Sequence, residues 1–106
     1  MVAKRPKKSK KGWRNRIVST RQVDPEKLVA NPRNWRVHPK YQREALTTVL
    51  DKVGWVQQII VNRTTGLIID GHLRVALAIE RGEDKIPVIY VDLSVGEENQ
   101  MLATLG

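Results

Sequence analysis

The stretch Leu67-Ile68-Ile69-Asp70-Gly71-His72-Leu73-Arg74-Val75-Ala76-Leu77-Ala78 constrains the fold of this chain more than any other. Three aliphatic residues read as a buried strand, Asp70-Gly71 breaks it, and an almost wholly apolar helix follows, with His72 and Arg74 in its first turn. A helix start carries unpaired backbone N–H groups and a partial positive charge, so this order of elements makes an anion pocket. Arg74 can grip a phosphate with two parallel hydrogen bonds. Gly71, lacking a side chain, lets the backbone approach a ligand closely. Asp70 stands at the C-terminal end of the strand, where α/β proteins place their chemistry. The plain alternative is an Asp-Gly turn with a basic residue after it, which also occurs in domains that bind nothing there.

The 106 residues suffice for one domain and are too few for two. Cysteine is absent, which excludes a disulfide framework, a thiolate nucleophile and a Cys-based zinc site. The only two histidines, His38 and His72, are far apart in sequence, so no metal site is expected. No segment approaches the roughly 18 apolar residues of a membrane span. The basic N-terminus lacks the apolar stretch of a secretory signal. A cytoplasmic setting is expected, with no membrane partner.

The net charge of +8 is concentrated at one end. Lys4, Arg5, Lys7, Lys8, Lys10, Lys11, Arg14 and Arg16 precede the first acidic residue, Asp24, and the remaining Lys and Arg are balanced by the 11 Asp and Glu. Residues 1–16 thus form a basic tail, expected to be disordered in isolation, and residues 17–106 form a neutral domain. Clustered cations attract polyanions whatever lies behind them, so the tail is the expected DNA contact; the alternative is a solubilising leader. Trp13 is the tail's one apolar anchor, able to stack on a base or on the domain.

Along the domain, Ile17 to Val23 reads as a strand and Asp24-Pro25 as the cap and first residue of a short helical turn. Asn31 to Pro39, with two prolines and two asparagines, is a loop. A helix over about Lys40 to Val53 gathers Ala45, Leu46, Val49, Leu50 and Val53 on one face, expected to face the core, and Gly54 ends it. Gln58 to Asn62 and Leu67 to Ile69 are strands joined by a turn at Thr64-Thr65-Gly66. A heavily buried helix runs from Gly71 to Arg81, before Gly82. Ile86 to Val91 is a strand in which Pro87 marks an edge or the strand's start. Ser94 and Glu97 form a capping box for a last helix through Leu105. That helix stops abruptly at Gly106, so the chain is expected to be part of a longer protein. The fold class is α+β, a small mixed sheet covered by two to three helices.

Five strings in this order resemble the ParB-like N-terminal domain, which shares its fold with sulfiredoxin: Asn31-Pro32-Arg33, a helix ended by Gly54, Gln57-Gln58-Ile59-Ile60-Val61, Ile69 to Ala78, and Ile86-Pro87-Val88. The resemblance covers about residues 17 to 105. Arg33-Asn34-Trp35-Arg36-Val37-His38-Pro39 and Asp70-Gly71-His72-Leu73-Arg74 are most similar to the version at the front of phage and bacterial DNA-modification methylases. In partition-type ParB proteins a Gly-Glu-Arg-Arg box holds the phosphates of CTP. Gly71 and Arg74 match that box, while His72 and Leu73 depart from it. Free-serine kinases of this fold carry Asp-Gly-His-His-Arg, in which Asp70 matches the catalytic acidic residue. Sulfiredoxin's nucleophilic Cys is replaced here by Gly71, so sulfinic acid reduction is excluded. The resemblance implies a nucleoside triphosphate, CTP or ATP, with Mg²⁺.

The candidate phosphate-binding residues are Gly71, His72, Arg74, Asn31, Arg33 and Arg36, the last three on the far wall of the same pocket. His72 either bonds a phosphate or shuttles a proton, or it is a helix-start histidine satisfied by a backbone carbonyl. Asp70 is either a general base or a cap accepting N–H bonds from residues 72 and 73; one residue can do both. Arg74 otherwise pairs with Asp70 or Glu80. Asn31-Pro32 is otherwise turn chemistry with solvated arginines, and His38 is a weaker member of the same loop. Trp35 and Trp55 are expected in the core or the pocket wall. Three functions remain open: a nucleotide-responsive, DNA-associating module; a Mg²⁺-dependent nucleotide hydrolase or phosphotransferase using Asp70; and an interaction domain with a vestigial pocket. Nuclease chemistry finds no cluster of carboxylates suited to two metals.

Overall fold

A computed structural model describes residues 12–34 and 36–105; Trp35 and the cations from Lys4 to Lys11 lie outside them. Among the described residues a four-stranded sheet carries three α-helices and a short 3₁₀ turn. The strands are β1 (Ile17–Val23), β2 (Ile59–Asn62), β3 (Ile68–Asp70) and β4 (Ile86–Val91). The helices are α1 (Lys40–Lys52), α2 (His72–Arg81) and α3 (Val95–Thr104). The sheet order is β1-β4-β2-β3. β4 is antiparallel to β1 and parallel to β2, and β2 and β3 form an antiparallel hairpin. The fold is the expected α+β mixed sheet.

Local chemistry explains most element ends. Asp24 caps the 3₁₀ turn by accepting from Glu26 N–H. The Ser94–Glu97 capping box starts α3 in both directions. Gly82, at φ 72°, closes α2 in the left-handed conformation favoured by glycine. Pro87 lies in an inner strand, so the edge reading does not hold and the start-of-strand reading does. It is the second residue of β4, paired with Gln22, while parallel pairing with β2 begins at Val88.

The core joins Ile59, Val61, Ile68, Ile86 and Val88 of the sheet to Val75 and Ala78 of α2, with Trp55 and Tyr90 packed against it. α2 buries Leu73, Val75, Leu77 and Ala78, as its apolar composition requires. The expectation for α1 needs correcting. None of its residues is buried, and of the predicted face Leu46 and Leu50 are half-buried while Ala45, Val49 and Val53 are exposed. α1 packs on α2 rather than on the sheet, and two ion pairs, Arg43–Glu80 and Asp51–Arg81, tie the helices together. Its apolar face therefore borders cavities instead of filling the core.

Candidate functional site

The strand–turn–helix of β3 and α2 forms the floor of a cavity of about 440 Å³, within the range of small-molecule sites. Asp70, Gly71, His72 and Arg74 lie on that floor. Asn34, Arg36 and His38 come from the loop before α1, Ala45, Leu46 and Val49 from α1, and Leu102 and Leu105 from the end of α3. A parallel bridge between Val29 and Leu67 lays the segment leading into that loop along β3, which brings Asn31 beside His72 at the start of α2.

Gly71 is the N-cap of α2, at φ 102°, and supplies no side-chain cap. The first-turn N–H groups therefore keep their positive end turned outward. Asp70 is not the expected cap; its Oδ2 accepts from Arg74 Nη2 at 3.3 Å. The requirement for glycine at 71 also differs from the expected one. A Cβ there would lie 2.5 Å from Ile59 Cδ1 and 3.1 Å from Arg74 Nη2, in a backbone conformation that side chains disfavour.

Arg74 is held loosely for a half-buried cation. Its Nη1 donates to Gln57 Oε1 at 3.3 Å and its Nη2 to Asp70 at 3.3 Å, both longer than the ~2.7–2.9 Å of a tight charge-assisted bond. Its Nε is buried with no partner among the described residues. A buried guanidinium N–H left unpaired is costly, and an anionic oxygen in the cavity would relieve it. Gln57 escaped the sequence reading as a site residue, although it stands just before β2 in one of the five strings; nothing local signalled that it would reach Arg74.

His72 is satisfied by a different partner from the one expected. The backbone N–H of Asn31 donates to its Nε2 at 3.0 Å. Burial lowers its pKa below the ordinary histidine value; Asp70 opposes that shift, while His38 and Arg36 add to it. His38 Nδ1 lies 3.3 Å from Gln42 Oε1.

The far wall needs a second correction. Arg36 lines the cavity and reaches the carbonyls of Leu102 and Leu105 at 3.4 and 3.3 Å, supplying the cation that the last turn of α3 lacks. Asn31 and Arg33 instead face Glu98: Asn31 Nδ2 donates to its Oε2 at 3.3 Å, and Arg33 Nη1 lies 3.9 Å from it. Trp55 joins the core and a separate cavity of about 270 Å³ between α1 and α2.

Of the tail cations, Arg14 and Arg16 fall among the described residues. Arg16 is committed to the domain rather than free for DNA: it grips both carboxylate oxygens of Glu97 at 2.8 and 2.9 Å and the Asp92 carbonyl at 2.7 Å. Arg14 is largely exposed, 3.9 Å from Glu97. Trp13 is fully exposed. No group of three metal-ligating side chains occurs among the described residues, and none of their helices is long and apolar enough to cross a membrane.

This architecture is that of ParB N-domains. The chain superposes on the C-terminally truncated chromosome-partitioning protein ParB from Caulobacter crescentus, solved with CTP-γ-S, with a TM-score of 0.66 and 24% identity over 82% of this chain and 50% of that one. Two structures of the pNOB8-like ParB N-domain match with TM-scores of 0.69 and 0.68, each at 20% identity. They cover 87% and 90% of this chain, and 37% and 35% of theirs. The chain thus spans half or less of each of these neighbours. No family model and no curated protein sequence matches it.

Proposed function

We propose that this domain binds a nucleoside triphosphate with Mg²⁺ in the cavity above α2 and associates with DNA through its basic tail. The observation that carries the reading is the unpartnered Arg74 Nε beside the uncapped start of α2. Two independent anion-seeking features converge there, in a cavity that also holds Arg36. The ParB neighbour solved with CTP-γ-S supports a nucleotide as the ligand. Arg74 and the first-turn N–H groups would hold phosphate oxygens. Asp70 is the one carboxylate in the cavity lining among the described residues, so most ligands of a Mg²⁺ would come from phosphates and water. CTP and ATP both remain consistent with the lining, and the departure of His72 and Leu73 from the partition-type box weighs against clamp-type switching.

Calorimetry on the folded chain with CTP, ATP and GTP at millimolar concentration and Mg²⁺ tests this. Saturable heat with at least one of them, lost in Arg74→Ala, is the expected result. Absence of heat with all three would favour an interaction domain with a vestigial pocket.

A second reading is kept because Asp70, free of any capping bond, faces the same cavity. With a phosphate on Arg74 it would stand as the general base of a hydrolase or phosphotransferase. A place at the front of a phage or bacterial DNA-modification protein, resting on the Arg33–Pro39 and Asp70–Arg74 strings, and a cytoplasmic setting, in keeping with a chain without cysteine, complete the proposal.

A further inference from the structure

Glu98 is fully buried on α3. Burying a carboxylate is unfavourable unless it is hydrogen-bonded, and here both oxygens are. Oε1 accepts from Asn62 Nδ2 at 3.1 Å and Thr65 Oγ1 at 2.5 Å, and Oε2 from Asn31 Nδ2 at 3.3 Å. Asn62 and Thr65 belong to β2 and the hairpin turn, and Asn62 is itself locked to both backbone groups of Leu93. They anchor the carboxylate to the sheet. Asn31 and Arg33 belong to the loop that frames the cavity, where Asn31 Oδ1 closes a turn by accepting from Arg33 N–H at 3.0 Å.

The far end of this network is an imidazole. Asn31 N–H, which can only donate, meets His72 Nε2, so Nε2 carries no proton and the neutral ring holds its proton on Nδ1. Nδ1 has no hydrogen-bond partner among the described residues, and His72 lines the cavity. We propose that Glu98 is a positioning residue for the anion site: by fixing the Asn31 turn it locks the tautomer of His72, making Nδ1–H a donor beside Arg74 at the start of α2. The ligand class is the phosphate of the proposed nucleotide, so the inference rests on that reading. A purely structural Glu98 would leave the ring's tautomer indifferent to it.

Burial is the main factor against the imidazolium; of the titratable groups around the ring, Asp70 favours it and His38 and Arg36 disfavour it. The neutral ring is therefore the form to observe near neutral pH. The test is the ¹⁵N imidazole spectrum of His72 in the full chain without nucleotide, at about pH 7 and above. The parent protein should show one tautomer, protonated at Nδ1. Protonation at Nε2, or an exchanging mixture, would overturn the proposal whether or not nucleotide binds. Glu98→Gln keeps the size but places an NH₂ among donors, and it should release the ring into a mixture. It should also weaken nucleotide binding about three- to tenfold, the worth of an ordinary hydrogen bond. A folded Glu98→Gln with the parent's spectrum and affinity would also overturn it. If that variant does not fold, Asn31→Ala serves, since it cuts the link to the loop and leaves Asn62 and Thr65 on the carboxylate. A locked tautomer that Glu98→Gln releases, in a parent that binds no nucleotide, would remove the nucleotide reading and the ligand role of Nδ1–H, and leave Glu98 as the residue that sets the ring.

Discussion

Arg74 is where burial and charge are least reconciled, and its replacement gives the sharpest readout. Its two bonds are long and its Nε is unpaired, so the side chain contributes little to the fold that a ligand would not improve. Arg74→Ala should weaken nucleotide binding by about 1.5–3 kcal/mol, the range of hydrogen bonds to charged groups, with a small change in the unfolding midpoint; calorimetry and thermal melts on the same samples separate the two. Asp70 gives the complementary case. Because it caps nothing, Asp70→Asn should fold as the parent does. Nucleotide affinity should hold or rise as a negative charge leaves the phosphate site. If the domain turns over nucleotide, phosphate release should fall by about 10²–10⁴, and release at the parent's rate would remove Asp70 from the chemistry. Asp70 and Arg74 were legible as cavity residues because they sit in a local strand–turn–helix grammar, and Arg36 because it stands in the Arg33–Pro39 string. Glu98 was not, because its partners Asn31, Asn62 and Thr65 are brought to it only by tertiary folding.

At the scale of elements, the legible parts are those whose signals are local. The capping box of α3, the Asp24-Pro25 start and the glycine stop of α2 all hold. The position of α1 was hidden for a physical reason. Periodicity marks an apolar face but not what covers it, and here the chain offers α2 and cavities rather than a second layer of core. The turn between β3 and α2 sets how far the cavity floor can change. Gly71→Ala combines a strained φ of 102° with a Cβ 2.5 Å from Ile59 Cδ1. Strain and overpacking at about 1–3 kcal/mol each put the loss at about 2–6 kcal/mol in denaturant unfolding.

The junction between the tail and α3 predicts an acid response. Arg16 above all, then the backbone N–H of Ser94, hold the Glu97 carboxyl down to about 2. A carboxylate whose pKa is depressed in the folded state stabilises above its unfolded value and loses that contribution as pH falls through the folded one. Stability from this pair should thus be intact above about pH 4.5 and drain away toward about pH 2. Arg16→Ala should return the Glu97 titration toward the ordinary range, read by carboxyl NMR; a Glu97 titration unmoved by that change would show that Arg16 does not set it.

Across the whole molecule, charge is partitioned by sequence position: the tail carries the excess and the domain from residue 17 onward is neutral. Salt dependence reads how many cations release counterions from DNA, with a slope of about −0.9 per phosphate neutralised. Arg16 is occupied by Glu97, so the count rests on Arg14 and the six cations from Lys4 to Lys11. If about five of them meet phosphates, log K should fall with log[salt] at a slope near −4 to −5, a loss of roughly two to three decades between 50 and 200 mM. The informative truncation removes residues 1–11 and stops short of Arg16, because a cut through Arg16 would also release Glu97 and the start of α3. The shortened chain should keep its fold and its cavity ligand, lose most DNA affinity, and show a slope flattened to about −1. Parent-like affinity and slope after that truncation would place DNA binding on the neutral body instead, with the arginines of the loop before α1, Arg33 and Arg36, as the next residues to change.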